Sequence, residues 1–147
     1  IGMPGHFLIR PDREEIEIFV DAFHGGEILF VQDCQERLAQ IYGHAVELQP
    51  EFLAPIRPYQ FLLRMLTNLK HIYLKQNQIH ECLAAIERIL LIFPNAMVER
   101  RDRGILYYQL GRWTEACQDL EDYLADRPED EDAALIRQLL SRMGKQV

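Results

Sequence analysis

The sequence predicts a mainly α-helical protein, in which a tandem array of helix pairs follows a small β-hairpin and a helix. Residues of matching type recur at an offset of 34 positions along the second half of the chain. Apolar residues between these positions follow the three- and four-residue spacing of amphipathic helices. The first fifty residues instead contain short β-type runs separated by polar and glycine turns. These patterns indicate two different regions within the 147 residues.

The first region begins with a predicted β-hairpin. Residues 7–10 form a short β-type run, residues 11–15 form a polar turn, and residues 16–23 alternate between two faces. Alternation at every second residue is typical of a half-buried strand. His6 stands at the start of the first strand and Asp21 near the end of the second. Because the strands of a hairpin run antiparallel, we expect these two side chains to lie side by side.

A second turn and a helix complete this region. Gly25-Gly26 predicts a turn into a strand over residues 28–30. An amphipathic helix over residues 32–42 then ends at Gly43. Two or three strands cannot bury a core by themselves. We therefore expect the strands to belong to a larger sheet or to be covered by the helices.

The second region carries the 34-residue repeat, which decides the fold class. Large flat side chains fill the gap between paired helices, and small residues permit a close helix crossing. The turn residues tolerate the left-handed backbone that ends a helix. Prolines stop the second helix of each pair. The pairs at this offset are Tyr73 and Tyr107, Asn77 and Gly111, Cys82 and Ala116, and Pro94 and Pro128.

Amphipathic helices are predicted between these positions. After Pro128, the acidic run over residues 129–132 favours a helix N-terminus through the helix dipole, and a final amphipathic helix caps the array. The apolar residues that fall on one stripe of the first helix are Leu62, Met65, Leu66, Leu69, Ile72 and Tyr73.

The array resembles two tetratricopeptide repeats, over residues 63–96 and 97–130. Lys70 stands where such repeats usually have glycine or alanine early in the first helix, whereas Gly104 keeps the small residue in the second repeat. This departure predicts less close packing at the N-terminal side of the first repeat.

The repeats imply a binding face on the inner side of the first helix of each pair, where such arrays grip peptides or neighbouring domains. Basic and amide side chains suit a carboxylate or an acidic segment of a protein partner. The alternative is that this face packs on the preceding domain of the same protein. The face comprises Arg64, Asn68, His71, Lys75, Arg101, Ile105, Tyr108 and Gln109.

His6 and Asp21 carry the chemistry that the first region offers. An imidazole beside a buried carboxylate is held in one tautomer, as are the base and orienter of a nucleophilic triad. A purely structural hydrogen bond is the alternative interpretation. His24 stands near Asp21, but no further ligand lies at metal-like spacing, so we expect no metal and no other cofactor.

The N-terminal motifs resemble those of the SirB family. The resemblance rests on "GMPGHFLIR", then "VDAFHGG" and a helix, then "LAPI" ahead of the repeats. Members are bacterial proteins that pair a transglutaminase-like domain, of papain-like fold, with C-terminal tetratricopeptide repeats, and some are described as regulators of invasion genes. The resemblance implies that His6 and Asp21 are the second and third members of a Cys-His-Asp triad.

In that family the nucleophilic cysteine lies N-terminal to the histidine strand, so this chain holds an incomplete or vestigial triad. None of Cys34, Cys82 and Cys117 precedes His6, and we expect no activity from the chain alone. A start at Ile1 indicates a piece of a longer protein. The predicted segments are the C-terminal part of a transglutaminase-like domain over residues 1–50, a connector over 51–62, two repeats over 63–130, and a capping helix with a tail over 131–147.

Composition excludes several classes of function. The net charge of −7 argues against nucleic acid as the main partner. The longest apolar run, residues 89–93, is far too short to span a bilayer, and no signal peptide is recognisable. The three cysteines show no metal-like spacing, and two of them occupy small-residue positions in predicted helices, which favours a reduced, cytoplasmic setting. We therefore predict a protein-interaction or scaffold module, with part of a transglutaminase-like or cysteine-protease-like enzyme as the alternative.

Overall fold

The computed structural model describes residues 1–11 and 17–144, so the predicted turn over residues 11–15 lies outside the described residues apart from Pro11. The chain divides into two compact units, Ile1–Phe61 and Leu62–Val147. The first contains a small sheet and a helix, and the described secondary-structure elements of the second are all helices. The predicted fold class is confirmed.

The small sheet of the first unit is built around the Gly25-Gly26 turn. Strand β1 (Phe19–Asp21) pairs antiparallel with β2 (Glu27–Leu29). Both glycines have positive φ values, of 73° and 87°, a backbone that side chains other than glycine adopt rarely. The pairing predicted between the two earlier runs is present as a single antiparallel bridge between Ile9 and Val20.

Helix α1 (Val31–Tyr42) follows the sheet and ends at Gly43, as predicted, with a left-handed φ of 71°. A short 3₁₀ helix (Pro50–Leu53) comes next. The buried side of α1 packs on the sheet, so a helix covers the strands in the way that a small sheet requires. The core of this unit comprises Met3, Leu8, Phe19, Leu29, Cys34 and Leu38.

Five helices form the array, and their turns follow the 34-residue spacing. Asn77 and Gly111 both adopt left-handed backbone, with φ values of 55° and 72°, which confirms their predicted role as helix-ending residues. Pro94 and Pro128 each stand two residues beyond the end of a helix. The helices are α2 (Pro58–Lys75), α3 (Ile79–Ile92), α4 (Met97–Gln109), α5 (Trp113–Asp126) and α6 (Ala133–Met143).

The apolar stripe predicted for the first helix lies on α2, but four of its six residues are exposed. Leu62, Met65, Leu69 and Ile72 are between 37% and 50% exposed, whereas Tyr73 packs against the core of the array. The side of α2 that packs within the array is the one that carries Lys70, the only residue of this helix that is buried. Apolar spacing therefore located the helix correctly but not the face that it buries.

Lys70 replaces small-residue packing with an ion-pair cluster between the two repeats. Its side chain is 6% exposed, and its Nζ lies 2.9 Å from Oε2 of Glu99 and 2.5 Å from Oδ2 of Asp102, both on α4. Burial alone would lower the pKa of Lys70, but the two carboxylates more than offset this and hold the pKa above its ordinary value. The two repeats are thus joined by charge at this position.

Gly104, at the equivalent position of the second repeat, permits close packing of α4 on α5. A Cβ at this position would lie 2.8 Å from Cγ and Cδ2 of Leu120 and 3.2 Å from Cβ of Asp119. Leu120 is fully buried in the core of the array, so it has little room to move. Small size is therefore a steric requirement at residue 104.

We expect Gly104→Ala to destabilise the protein. Overpacking a core costs about 1–3 kcal/mol, against a helix-propensity gain of up to about 1 kcal/mol for replacing glycine. Urea unfolding should show a lower midpoint than the wild type. Gly144→Ala is the matched control, because a Cβ there would meet only the Leu140 carbonyl oxygen, at 3.7 Å, and φ is −64°. Equal midpoints for the two variants would contradict this account of Gly104.

Candidate catalytic pair and repeat surface

Asp21, the last residue of β1, is fixed by the turn that follows it. Its Oδ1 accepts hydrogen bonds from the backbone N–H groups of Phe23 (3.0 Å) and His24 (3.1 Å). Its backbone carbonyl accepts another from Gly26 at 2.9 Å. The side chain is fully buried. A buried carboxylate needs such partners to remain charged.

The structure brings His6 against this carboxylate. Nε2 of His6 lies 2.8 Å from Oδ2 of Asp21, and the His6 side chain is 13% exposed. The contact is close, but Nε2 lacks the geometry of a hydrogen bond to any described group. Hydrogen bonds between catalytic groups are often poorly aligned in a resting site and tighten when substrate is bound.

Two further side chains, which the sequence did not identify as site residues, complete the cluster. Nδ1 of His24 lies 2.7 Å from Oδ2 of Asp21 in a well-formed hydrogen bond. The guanidinium of Arg37, on α1, lies 3.8 Å from the same oxygen and 2.8 Å from Oε2 of Glu27. The proximity of His24 to Asp21 in the sequence was a weak signal, whereas nothing in the sequence indicated Arg37.

These contacts set the protonation state of Asp21. Burial by itself would raise the pKa of this carboxyl group, but contacts from His24 and His6, together with the backbone N–H of His24, hold the pKa far below its ordinary value. Asp21 is therefore ionised at neutral pH, as a group that orients a catalytic imidazole must be.

We expect Asp21 to make the fold sensitive to acid. Because its pKa is lower in the folded than in the unfolded state, its ionisation contributes stability above the ordinary value of 3.8 and loses that contribution as pH falls below it. Asp21→Asn should flatten the dependence of the free energy of unfolding on pH below about 4. Glu47→Gln, at an exposed residue of the same unit, is the control. An unchanged pH dependence in Asp21→Asn would exclude this role.

The same three side chains form a geometric candidate for a metal site. One ligand atom from each of His6, Asp21 and His24 lies within 4.8 Å of the others. Arg37 opposes this use, because its Nη1 lies 3.2 Å from Nδ1 of His24 and its positive charge repels a cation. The cluster is better described as a hydrogen-bonded network, and the absence of a metal stays a prediction.

Of the three cysteines of the chain, Cys34 and Cys82 are buried and Cys117 is half-buried. All are free. Burial raises the pKa of Cys34 to about 11 and also raises the pKa of Cys82 and of Cys117. The thiolate is the nucleophilic form, so these groups are poorly suited to attack a carbonyl. Their environments are consistent with the expectation that the nucleophile lies elsewhere.

The predicted binding residues of the repeats fall into two groups. On α2, Asn68, His71 and Lys75 are exposed, and Arg64 is half-buried. On α4, Arg101 is paired with Asp102 at 2.7 Å and with Asp132, so its charge is already neutralised. The remaining member, Tyr108, is half-buried with its ring edge-on to Trp113 at 5.3 Å.

A groove that the sequence did not predict lies among α2, α3 and α4. It encloses about 330 Å³. Ile105 and Gln109 of the predicted face line it, together with Tyr73, Leu74, Asn77 and Asp102 among others. Arg64, Asn68, His71, Lys75, Arg101 and Tyr108 do not line it.

Comparison with known proteins supports the two-part organisation. A model of the transglutaminase-like superfamily matches residues 1–67, and a tetratricopeptide-repeat model matches residues 69–141. No solved structure matches the chain significantly. None of the described helices is long and apolar enough to cross a membrane.

Several bacterial proteins named UPF0162 are similar to this chain. One from Xylella fastidiosa strain 9a5c is 31% identical over 140 residues, covering 93% of this chain and 50% of the relative. One from Haemophilus influenzae is 26% identical over 150 residues, covering 99% and 54%. The YchA protein of Escherichia coli K12 is 26% identical over 141 residues, covering 96% and 52%. The chain thus spans about half the length of the curated relatives it matches.

Proposed function

Since this chain carries a transglutaminase-like region followed by tetratricopeptide repeats, we propose that it is a protein-interaction module whose repeats hold a protein or peptide. The observation that carries the proposal is the exposed face of α2. Asn68, His71 and Lys75 are exposed there, and the apolar residues Leu69 and Ile72 are exposed beside them. Such a surface offers apolar contact and polar recognition together.

The charges of this face favour an acidic partner. Lys75 is exposed and has no carboxylate among its described ion pairs, whereas Arg101 of α4 is already paired with Asp102 and Asp132. We therefore place the charged part of the binding face on α2 rather than on α4. Nucleic acid is disfavoured by the net charge of −7.

Charge reversal tests this proposal. Lys75→Glu should weaken the binding of an isolated protein partner by about fivefold or more, because it replaces electrostatic attraction by repulsion at the edge of the interface. Isothermal titration with partners captured by the wild-type chain measures the effect. Arg88→Glu is the matched control, because Arg88 is exposed on α3. If Lys75→Glu and Arg88→Glu bind every partner with wild-type affinity, the α2 face is not the binding surface.

A second function is favoured by the contact between His6 and Asp21. We propose that the chain supplies the base and the orienting carboxylate of a Cys-His-Asp site, whose cysteine belongs to another part of the intact polypeptide. The 2.8 Å approach of Nε2 to Oδ2 supports this role, since it leaves Nδ1 of the same ring available to a thiol. Membership of the SirB family, a regulatory role and a cytoplasmic location also stay predictions.

Labelling tests the second function. An iodoacetamide probe applied to the intact polypeptide at neutral pH should modify one cysteine much faster than Cys34, Cys82 and Cys117, because these three thiols have raised pKa values. Peptide mass spectrometry locates the modified residue. Uniform slow labelling of all cysteines would rule out an activated nucleophile.

A further inference from the structure

His24 shares one oxygen of Asp21 with His6. Nδ1 of His24 lies 2.7 Å from Oδ2 of Asp21, and Nε2 of His6 lies 2.8 Å from the same atom. The two rings are 5.5 Å apart between centroids and tilted by 39°. Of the two contacts, only the one from His24 has hydrogen-bond geometry among the described residues. His24 therefore makes the better-aligned side-chain bond to the carboxylate.

The proton on His24 follows from its neighbours. An ionised carboxylate accepts hydrogen bonds and donates none, so Nδ1 of His24 must carry the hydrogen that points to Asp21. Arg37 is a donor only, so its 3.2 Å contact with Nδ1 cannot be a hydrogen bond to that protonated nitrogen. Arg37 instead binds Glu27 at 2.8 Å and adds positive charge near Asp21. His24 is thus held in the tautomer that donates to Asp21.

Both oxygens of Asp21 are then fixed. Oδ1 accepts the two backbone N–H groups of the turn, and Oδ2 accepts Nδ1 of His24. A carboxylate bound at both oxygens cannot rotate about its Cβ–Cγ bond without breaking at least one hydrogen bond. The acceptor that faces Nε2 of His6 therefore has a defined position.

We propose that His24 is a positioning residue for the His6–Asp21 pair, a role that deepens the proposed Cys-His-Asp chemistry and rests on it. His24 holds Oδ2 of Asp21 against Nε2 of His6. The His6 ring then carries its hydrogen on Nε2 and leaves the lone pair of Nδ1 free for the proton of a thiol. His24 itself transfers no proton to the reacting groups.

Two variants of His24 separate this role from a general effect on the fold. His24→Ala removes the donor. His24→Asn retains one, because the side-chain nitrogen of asparagine stands at the same number of bonds from Cβ as Nδ1 of histidine. Both variants keep the backbone N–H bonds to Oδ1, so the turn should persist. Arg112→Ala, in the second unit, controls for the effect of mutation itself.

The tautomer of His6 is the decisive measurement, made by ¹⁵N–¹H spectroscopy of the imidazole rings in the 147-residue chain at a pH where the rings are neutral. In the wild type we expect the hydrogen of His6 mainly on Nε2. His24→Ala should lower the ratio of the Nε2–H to the Nδ1–H tautomer of His6 by about tenfold. Without His24, Oδ2 of Asp21 is no longer held against Nε2 of His6, so His6 loses its bond to a charged acceptor. His24→Asn should restore most of the ratio. An unchanged ratio in His24→Ala, with a native amide spectrum, would overturn the proposal.

This readout is independent of the cysteine. In the intact polypeptide, labelling of the activated thiol should fall about tenfold in His24→Ala and recover in His24→Asn. A His6 tautomer that depends on His24, found without any activated thiol, would count against the proposed Cys-His-Asp chemistry. It would still support the role of His24 in positioning Asp21. If an activated thiol is present but neither its labelling rate nor the His6 tautomer changes in His24→Ala, the positioning role alone is refuted.

Discussion

Replacing Lys70 by alanine should destabilise the array by about 3 kcal/mol. The change leaves Glu99 and Asp102 without their common cation, and the Lys70 side chain that joins them is only 6% exposed. Removing one partner of a buried ion pair costs more than the pair contributes, because the remaining charges lose their compensation. The two carboxylates are 16% and 21% exposed, so water screens part of this cost.

Urea unfolding at neutral pH measures the effect. Lys75→Ala, at an exposed lysine of the same helix, should change the free energy of unfolding by less than about 0.5 kcal/mol. Lys70→Met, which preserves much of the side-chain volume, should also be less stable than the wild type, because the substitution removes the ion pairs with Glu99 and Asp102 rather than the packing. If Lys70→Ala were as stable as Lys75→Ala, the cluster would not hold the repeats together.

The contribution of Lys70 should also depend on pH in a defined direction. Its pKa is raised above the ordinary value of 10.5 in the folded state, so its stabilisation is fully present below that value and is lost as pH rises above it. The difference in stability between wild type and Lys70→Ala should therefore be constant around neutral pH and shrink in strong alkali.

The second large effect concerns His6 in the intact polypeptide. We expect His6→Asn to slow the labelling of the activated cysteine by about 10²–10⁴-fold, the usual contribution of a general base. The loss of the imidazole removes the group that takes the thiol proton, while asparagine keeps a polar side chain beside Asp21. The rate of labelling by iodoacetamide at neutral pH is the measurement.

His44→Asn is the matched control for this experiment. His44 is exposed in the same unit, and its described side-chain hydrogen bond is to the neighbouring carbonyl of Ala45. It should label at the wild-type rate. Equal labelling rates for His6→Asn and the wild type would show that His6 and Asp21 form a structural contact and not part of a catalytic site.

The repeat architecture was accessible from the sequence because it depends on local rules. Asn77 and Gly111 end their helices through a backbone conformation that few residues tolerate, and Gly43 ends α1 in the same way. The meeting of His6 and Asp21 was also foreseen, since antiparallel pairing places them together. Ile9 and Val20 provide that pairing.

Burial was harder to predict. Leu62, Met65, Leu69 and Ile72 have the spacing of a core stripe, yet they are exposed, while Lys70 is buried. Spacing shows that a helix is amphipathic but not which neighbours exist to cover it. A lysine is buried only where carboxylates reach it, and Glu99 and Asp102 lie about 30 positions away along the chain.

The sequence by itself determined the kinds of structure in this protein: a 34-residue helical repeat, its turns, and a histidine paired with an aspartate. Tertiary structure decided how the charges are used. It brought His24 and Arg37 onto Asp21, joined Lys70 to α4, and neutralised Arg101 with Asp132. Local backbone preferences act within a few residues, whereas an ion pair depends on the relative placement of whole helices and strands.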